Sequence, residues 1–166
     1  MTETTEISDR TYVYTTYIRT TPQQVFDALT TPEFTMQYWG GAELRSDWTP
    51  GSPLEAYHPD RDDFIGEVLA VEPPHRLSYT FTGRAEQEAG RPATTVEFTI
   101  APFGDEVVKL TVLHTGFTAD DRGAQDHRDI GEGWPAILSA LKTLLESGTP
   151  LPSPGHLAPR TPAAHA

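Results

Sequence analysis

The residues best able to do chemistry in this sequence are a histidine and a tyrosine on the apolar sides of predicted strands. His114 continues an alternation through Val108, Leu110 and Val112, so its imidazole is expected to point inward. A buried imidazole beside a cavity could orient a ligand or act as a general base, with Tyr79 as proton donor. The alternative is a histidine that a neighbouring backbone or hydroxyl group satisfies. No serine or cysteine nucleophile with an evident partner accompanies these two catalytic candidates.

Large aromatic side chains recur at positions expected to face the interior. Tyr79, Phe81 and Phe98 fall on apolar strand faces, and Trp134 falls on the apolar face of a helix. Aromatic walls suit flat apolar ligands, and tyrosine or tryptophan can add one directed hydrogen bond. Plain core packing is the alternative for each ring. The predicted ligand-binding residues are Trp39, Tyr57, Tyr79, Phe81, Phe98, His114, Trp134 and Leu138. Trp39 and Tyr57 are expected to lie near the mouth of the cavity.

Two acidic clusters are candidate metal sites. The first follows His58, the second precedes the last predicted helix, and their acidic and histidine members are Asp60, Asp62, Asp63, Asp120, Asp121, Asp126, His127 and Asp129. Neither cluster has the glycine and glutamate spacing of a calcium loop or the paired histidines of a zinc site. Both are interpreted as solvated loops. No metal and no cofactor are predicted, since phosphate-binding glycine loops and a nucleophile elbow are also absent from the sequence.

Composition limits the partners that we expect. The 166 residues include 24 acidic and 12 basic side chains, a formal net charge of −12, and no cysteine. An acidic surface repels nucleic acid and anionic membranes, so neither is an expected partner. Without cysteine there are no disulfides, thiol nucleophiles or thiolate metal sites. The first ten residues lack a signal-peptide pattern, and no apolar run approaches the ~20 residues of a membrane helix, so a cytoplasmic protein is expected.

The elements that must position these residues begin with a strand and two short helices. β-branched and aromatic residues over 12–20 predict the strand. One helix is expected to start at Pro22, and another to cover 32–38. From 42 to 117, period-2 alternation broken by short turns predicts six more strands, with a polar loop at 83–92.

A long helix follows the strands. Apolar residues at steps of three and four predict it over 124–147, ending at Gly148. Pro135 lies inside this stripe, and we expect it to begin a second helix rather than to kink one. Residues 1–10 are predicted to be a disordered N-terminus, residues 11–148 the folded domain, and residues 149–166 a proline-rich disordered tail.

The order of elements predicts an α+β fold. Only the last helix has enough apolar surface to cover the apolar face of so long a sheet, so the sheet must curl around it. Large side chains cannot fill every gap under a curved sheet, and a cavity is expected between the sheet and the helix.

Several short motifs, taken in this order, resemble those of a known superfamily. They lie at residues 18–33 (Ile-Arg-Thr-Thr-Pro-Gln-Gln-Val-Phe onward), at Tyr38-Trp39-Gly40, at Gly66-Glu-Val68, at His114-Thr-Gly-Phe117 and at Gly133-Trp134. The sequence resembles the START-like, or birch-pollen-allergen-like (SRPBCC), superfamily. Within it, the sequence is similar to the family named for the C-terminal domain of the activator of heat-shock protein 90 ATPase. The resemblance covers about residues 12–148. It implies a helix-grip fold, a curved antiparallel sheet of about seven strands wrapped around a long C-terminal helix.

Three functions stay open at this point. Superfamily members bind lipids, hormones or polyketides, which implies a carrier or sensor of an apolar or aromatic small molecule. A polyketide cyclase or hydrolase would use the same cavity, but it needs two converging polar groups, and the sequence offers only His114 as a good inward one. A co-chaperone-like protein-binding domain needs an exposed patch, whereas outward positions such as Thr95, Glu97 and Lys109 are polar. A homodimer and another protein partner both remain open.

Overall fold

Seven antiparallel strands form one sheet in the computed structural model, which describes residues 5–152. The strand order is β1-β7-β6-β5-β4-β3-β2, so β2 to β7 run as a meander and β1 pairs with β7. The predicted α+β helix-grip fold is confirmed. The strands are β1 (Tyr12–Ile18), β2 (Glu43–Ser46), β3 (Pro53–Tyr57), β4 (Ile65–Glu72), β5 (Arg76–Phe81), β6 (Thr94–Pro102) and β7 (Val108–Thr115).

Alternation along the strands decides which side chains enter the core. In β6 and β7 the buried set is Val96, Phe98, Ile100, Val108, Leu110, Val112 and His114, as the period-2 pattern predicts. Pairing places His114 opposite Val96 in β6 and opposite Tyr12 in β1. The imidazole therefore belongs to the inner face of the sheet at the end of β7.

Four helices accompany the sheet among residues 5–152. Those predicted after β1 are confirmed, and the Thr21 hydroxyl accepts a hydrogen bond of 3.2 Å from the amide of Gln24, which caps the first. The prediction of a plain loop over 83–92 is wrong, since a short helix lies within it. That helix has no buried residue, so no apolar periodicity could have indicated it. The helices are α1 (Pro22–Thr30), α2 (Pro32–Tyr38), α3 (Arg84–Glu88) and α4 (Asp121–Ser147).

Helix α4 runs unbroken for 27 residues through Pro135, so the expectation that this proline begins a second helix is wrong. Proline lacks the N–H that would bond the carbonyl of Gly131, four residues earlier. Buried residues on both sides, Trp134 before and Leu138 after, hold the helix continuous against the core. The helix ends as predicted at Gly148, whose φ of 84° is left-handed.

Residues before β1 make backbone contacts with the domain. Ile7 pairs with Thr118 in an isolated bridge, and the amide of Ser8 donates a hydrogen bond of 2.7 Å to the carbonyl of Phe117. Part of the segment predicted to be disordered at 1–10 therefore contacts the domain. Residues 1–4 and 153–166, which include most of the predicted tail, lie outside the described residues. Within 5–152, no helix combines the length and the apolarity needed to cross a bilayer.

Candidate ligand-binding site

A cavity of about 430 Å³ lies between the N-terminal half of α4 and the ends of β5, β6 and β7. Small-molecule sites in proteins typically measure roughly 300–1,000 Å³, so this volume suits a compact ligand. Seven large apolar side chains line it, and they come from five separate parts of the chain. They are Trp39, Phe64, Phe81, Phe117, Ile130, Trp134 and Ile137.

The aromatic wall is built from rings packed on one another. Phe64 stacks on Phe81 with ring centroids 4.3 Å apart and planes at 21°. Trp39 meets Trp134 edge to face at 5.4 Å and 89°. Offset stacking and edge-to-face contact are the favourable arrangements of aromatic pairs. The wall is therefore largely preformed and presents flat apolar surface to the cavity.

His114 is part of a hydrogen-bond chain within this wall. The indole N–H of Trp134 donates to Nδ1 of His114 at 3.1 Å. Because Nδ1 accepts, the proton of the neutral ring is on Nε2, which lies 2.7 Å from the hydroxyl of Thr94. That hydroxyl donates in turn to the carbonyl of Phe81 at 2.9 Å. Each donor and acceptor in the chain thus has one partner, and α4 is joined to β7, β6 and β5.

The environment of His114 keeps the imidazole uncharged. The ring is fully buried, stacked on Phe117 at 4.9 Å and touched edge-on by Phe81 at 5.2 Å. Burial, and to a smaller extent the nearby His127, lower the pKa of His114 to about 3. Both ring nitrogens already have protein partners. The structure thus matches the alternative given for this residue, a histidine whose hydrogen bonds are satisfied by neighbouring groups such as a hydroxyl. In this arrangement His114 positions the wall and has no free lone pair for a substrate proton.

Asp63 is a buried carboxyl group that also lines the cavity. The interpretation of its acidic cluster as a solvated loop is wrong at this residue. Its Oδ1 accepts a hydrogen bond of 3.0 Å from the amide of Phe64, while Oδ2 lies 3.5 Å from a guanidinium nitrogen of Arg61 and makes no hydrogen bond to a described residue. Burial raises the pKa of Asp63 to about 6, against the opposing effect of Arg61. The only sequence signal was its place directly before Phe64.

Three more buried polar atoms lie in the same region without hydrogen bonds to described residues. They are the indole nitrogen of Trp39, Nε of Arg61 and the hydroxyl of Tyr79. The Trp39 indole N–H lies close enough to Asp63 to lower the pKa of that carboxyl. Asp63 and Tyr79 are linked electrostatically, because the carboxylate contributes to raising the pKa of the Tyr79 hydroxyl, after burial and Tyr38. The inner part of the site thus contains unused donors and acceptors.

Charged side chains of α3 and α4 form the rim. Arg122 donates to Glu86 across the rim at 2.6 Å and to Asp126 at 3.2 Å. Burial raises the pKa of Asp126, with Arg122 acting in the opposite direction. These contacts hold the polar helix α3 against α4. Arg122 therefore links the two helices at the rim of the cavity.

A second arginine, Arg91, also lines the rim. Arg91 lies 3.2 Å from the carboxylate of Asp120 and donates to the Thr118 hydroxyl at 2.8 Å. Asp120 also caps α4 by accepting a hydrogen bond of 2.9 Å from the amide of Gly123. Hydrogen bonds from Arg91, then Thr118 and Gly123, hold the pKa of this carboxyl well below its usual range.

Four of the eight predicted ligand-binding residues line the cavity, and four do not. Those that line it are Trp39, Phe81, His114 and Trp134. Trp39 is fully buried rather than near a mouth. Of the others, Tyr79, Phe98 and Leu138 are buried in the core and do not line the cavity, and Tyr57 lies under the Arg45 guanidinium, which is 3.9 Å from the centre of its ring. The catalytic candidates His114 and Tyr79 therefore do not both face the cavity.

Several lining residues were not predicted. Phe64, Phe117 and Ile130 were readable as apolar, but the sequence did not show that they meet empty space. Among residues 5–152, no group of three or more histidine or acidic side chains is placed to share a metal ion. The described site is thus a cavity with an aromatic inner wall and a rim of charged side chains.

A family model described as activator of Hsp90 ATPase homolog 1-like protein matches residues 19–146. No curated protein matches the chain. DynU16, a protein in the dynemicin biosynthetic locus, is 25% identical with a TM-score of 0.70, and the match covers 86% of this chain but 49% of DynU16.

Two more distant structures share the fold. An HSP90 activator from Plasmodium falciparum is 17% identical with a TM-score of 0.68, over 81% of this chain and 95% of that one. The Aha1 dimer from Colwellia psychrerythraea is 17% identical with a TM-score of 0.67, over 84% of this chain and 98% of that one. At 17% identity, these two matches show a shared fold and nothing about function.

Proposed function

This chain belongs to the activator of Hsp90 ATPase homolog 1-like family, and we propose that it binds an apolar or aromatic small molecule in the cavity beside α4, as a carrier or sensor. The single observation that carries the proposal is the cavity itself. It has a volume of about 430 Å³, and packed aromatic rings form its inner wall. Burying a flat apolar ligand there would be favourable at roughly 25 cal/mol per Å² of apolar surface removed from water.

The state of His114 favours holding a ligand over transforming it. Catalysis by acid and base needs groups with free protons or lone pairs converging on one spot. His114 uses both nitrogens on Trp134 and Thr94, and Tyr79 does not line the cavity. A polyketide cyclase or hydrolase built on this pair is therefore the less supported use of the cavity.

A protein partner is the second candidate function. Three large apolar side chains on and near the edge strand β1 are markedly exposed, namely Val13 at 57%, Tyr17 at 43% and Phe103 at 57%. Tyr17 and Phe103 pack edge to face at 4.9 Å, which joins them into one small patch. The HSP90 activator and the Aha1 dimer among the structural neighbours are consistent with a partner or a second copy at such a surface.

The neutral fluorescent probe N-phenyl-1-naphthylamine tests the first candidate. We expect its fluorescence to rise on binding, and competing polyketides, flavonoids or alcohols to displace it. Gly133 lines the cavity on α4 and has open space where a side chain would project, so Gly133→Phe should fill the site. Ser139→Phe, on the same helix but outside the lining, is the matched control.

The expected result is an affinity loss of at least about tenfold in Gly133→Phe and little change in Ser139→Phe. A folded protein that binds no probe and no member of the panel would overturn the small-molecule function. Equal binding by both variants would place the probe elsewhere and would overturn this cavity as its site. In either case the β1 patch becomes the surface to test by sedimentation.

A further inference from the structure

The polar side chains of the cavity have a bearing on the kind of ligand. Resting on the small-molecule function proposed above, we infer that the site selects an uncharged aromatic compound bearing a hydroxyl group, which donates a hydrogen bond to Oδ2 of Asp63. The same arrangement disfavours carboxylates such as fatty acids.

Asp63 has the geometry of a recognition group. Its side chain has no exposed surface, yet it lines the cavity. Oδ1 is already used by the amide of Phe64, whereas Oδ2 makes no hydrogen bond to a described residue. Buried polar atoms in proteins are nearly always hydrogen-bonded, so a ligand donor that reaches Oδ2 gains more than it would in water.

The surroundings of Asp63 favour a neutral donor over a cationic one. A guanidinium nitrogen of Arg61 lies 3.5 Å from Oδ2 and also donates to the carbonyl of Gly40 at 2.9 Å. The carboxylate therefore already has a fixed counter-charge. Arg61 offsets part of the attraction that Asp63 would exert on an amine, whereas a hydroxyl needs no opposite charge in order to donate its hydrogen bond.

The charges around the cavity act against anions. The five acidic side chains that line it are Asp63, Glu86, Asp126, Asp129 and Glu132. Against them stand Arg91 and Arg122, both already paired with carboxylates. A ligand carboxylate would lose its hydration and find no free cation among the described lining residues, which is costly in an apolar site.

Aromatic rings surround Phe64, the residue next to Asp63, and they favour an aromatic ligand. Phe64 packs nearly parallel to Phe81, with ring centroids 4.3 Å apart, and to Tyr79 at 5.8 Å, and Trp39 lies 5.7 Å from it. A hydroxyl held at Asp63 places the attached ring beside these faces. Ring stacking and the hydrogen bond would thus act on one end of the ligand.

Three naphthalene probes of equal ring size test the inference by calorimetry near neutral pH. They are 2-naphthol, its methyl ether 2-methoxynaphthalene, and 2-naphthoate. We expect 2-naphthol to bind at least about tenfold more tightly than either of the others, as a hydrogen bond to a charged acceptor allows. In Asp63→Asn the preference over the ether should fall to about threefold or less, and in the exposed neighbour variant Asp62→Asn it should persist.

Each outcome separates the inference from the function on which it rests. If 2-naphthol and its ether bind wild type equally, hydroxyl selection is overturned while the cavity stands. If 2-naphthoate equals 2-naphthol, the rejection of anions is overturned. If none of the three binds but N-phenyl-1-naphthylamine does, the inference alone fails. If that probe fails as well, the function and the inference fall together. An Asp63→Asn protein that does not fold leaves the wild-type comparison as the deciding measurement.

Discussion

The indole N–H of Trp134 donates a hydrogen bond of 3.1 Å to Nδ1 of His114, and both residues line the cavity. This contact joins the middle of α4 to the end of β7. It also selects the histidine tautomer that can donate to Thr94. The wall of the cavity therefore depends on one buried polar chain, and its disruption should be measurable.

Replacing each buried tryptophan of the wall with phenylalanine should have unequal effects on stability. Trp134→Phe removes the donor to His114 and leaves a buried acceptor unpaired, at a cost of about 1–3 kcal/mol beyond the lost volume. Trp39→Phe removes a similar volume but no hydrogen bond, because the Trp39 indole nitrogen bonds to no described residue. Denaturant unfolding should show Trp134→Phe to be the less stable variant. Equal losses would mean that the hydrogen bond contributes little.

Asp63→Asn should change the pH dependence of stability in a defined direction. Burial raises the pKa of Asp63 from 3.8 to about 6, so the folded state holds this proton more tightly than the unfolded state. Protonation of Asp63 therefore increases the free energy of unfolding as the pH falls through about 6, and the increase stops once the carboxyl of the unfolded chain is protonated as well. Between about pH 7.5 and pH 5, wild type should gain roughly 1 kcal/mol of unfolding free energy relative to Asp63→Asn.

The difference in unfolding free energy between wild type and Asp63→Asn reports on the Asp63 carboxyl alone. The lowered pKa of His114 acts in the opposite sense, because the unfolded chain takes up that proton first and stability falls with acidification below about pH 6.5. His114 is present in both proteins, so its contribution cancels in the difference. A difference that stays constant over this pH range would show that the pKa of Asp63 is not raised.

Two glycines of α4 should respond oppositely to alanine. A methyl group at Gly123 would collide with the backbone carbonyl of Thr118, whereas at Gly133 it would meet nothing. Gly123→Ala should therefore destabilise the fold by about 1–3 kcal/mol. Gly133→Ala should stabilise it by about 0.5–1 kcal/mol through helix propensity. Chemical denaturation of both variants checks the signs, and a stable Gly123→Ala would contradict the close contact at the start of α4.

Loosening the rim should speed ligand exchange. Arg122→Gln removes the ion pairs to Glu86 and Asp126 that hold α3 on α4. A partly exposed ion pair contributes up to about 1 kcal/mol, so the dissociation rate of N-phenyl-1-naphthylamine should rise by about twofold to fivefold. Stopped-flow measurement at low and high salt should show the wild-type rate approaching that of the variant as salt increases.

The matched control for the rim is on the same helix. Arg128→Gln also removes one positive charge, but Arg128 donates only to Gln125 among the described residues, at 2.7 Å. Its probe dissociation rate should stay close to that of wild type. If both variants accelerate release equally, net charge rather than the contacts of α3 controls the exchange.

Local pattern was enough to predict most of the fold. Alternation placed Val112 and His114 on the inner face of β7, and steps of three and four placed Trp134 and Leu138 on the inner stripe of α4. Gly148 ended that helix because only a residue free of Cβ adopts its positive φ readily. The inward faces of strands and helices and the end of α4 depend on residues a few positions apart in the chain, so they can be predicted from the sequence.

The tertiary structure decided which buried side chains meet the cavity. Tyr79 and Phe81 share one face of β5, yet only Phe81 lines the cavity, because the position along a curved sheet is not encoded in alternation. Asp63 resembled its solvated neighbours, and only packing against distant elements buries it. By itself the sequence determined the order of all elements except α3, their inward faces and the acidic charge. The cavity depends on the curvature of the sheet and on contacts between segments far apart in the chain, so only the folded structure located it.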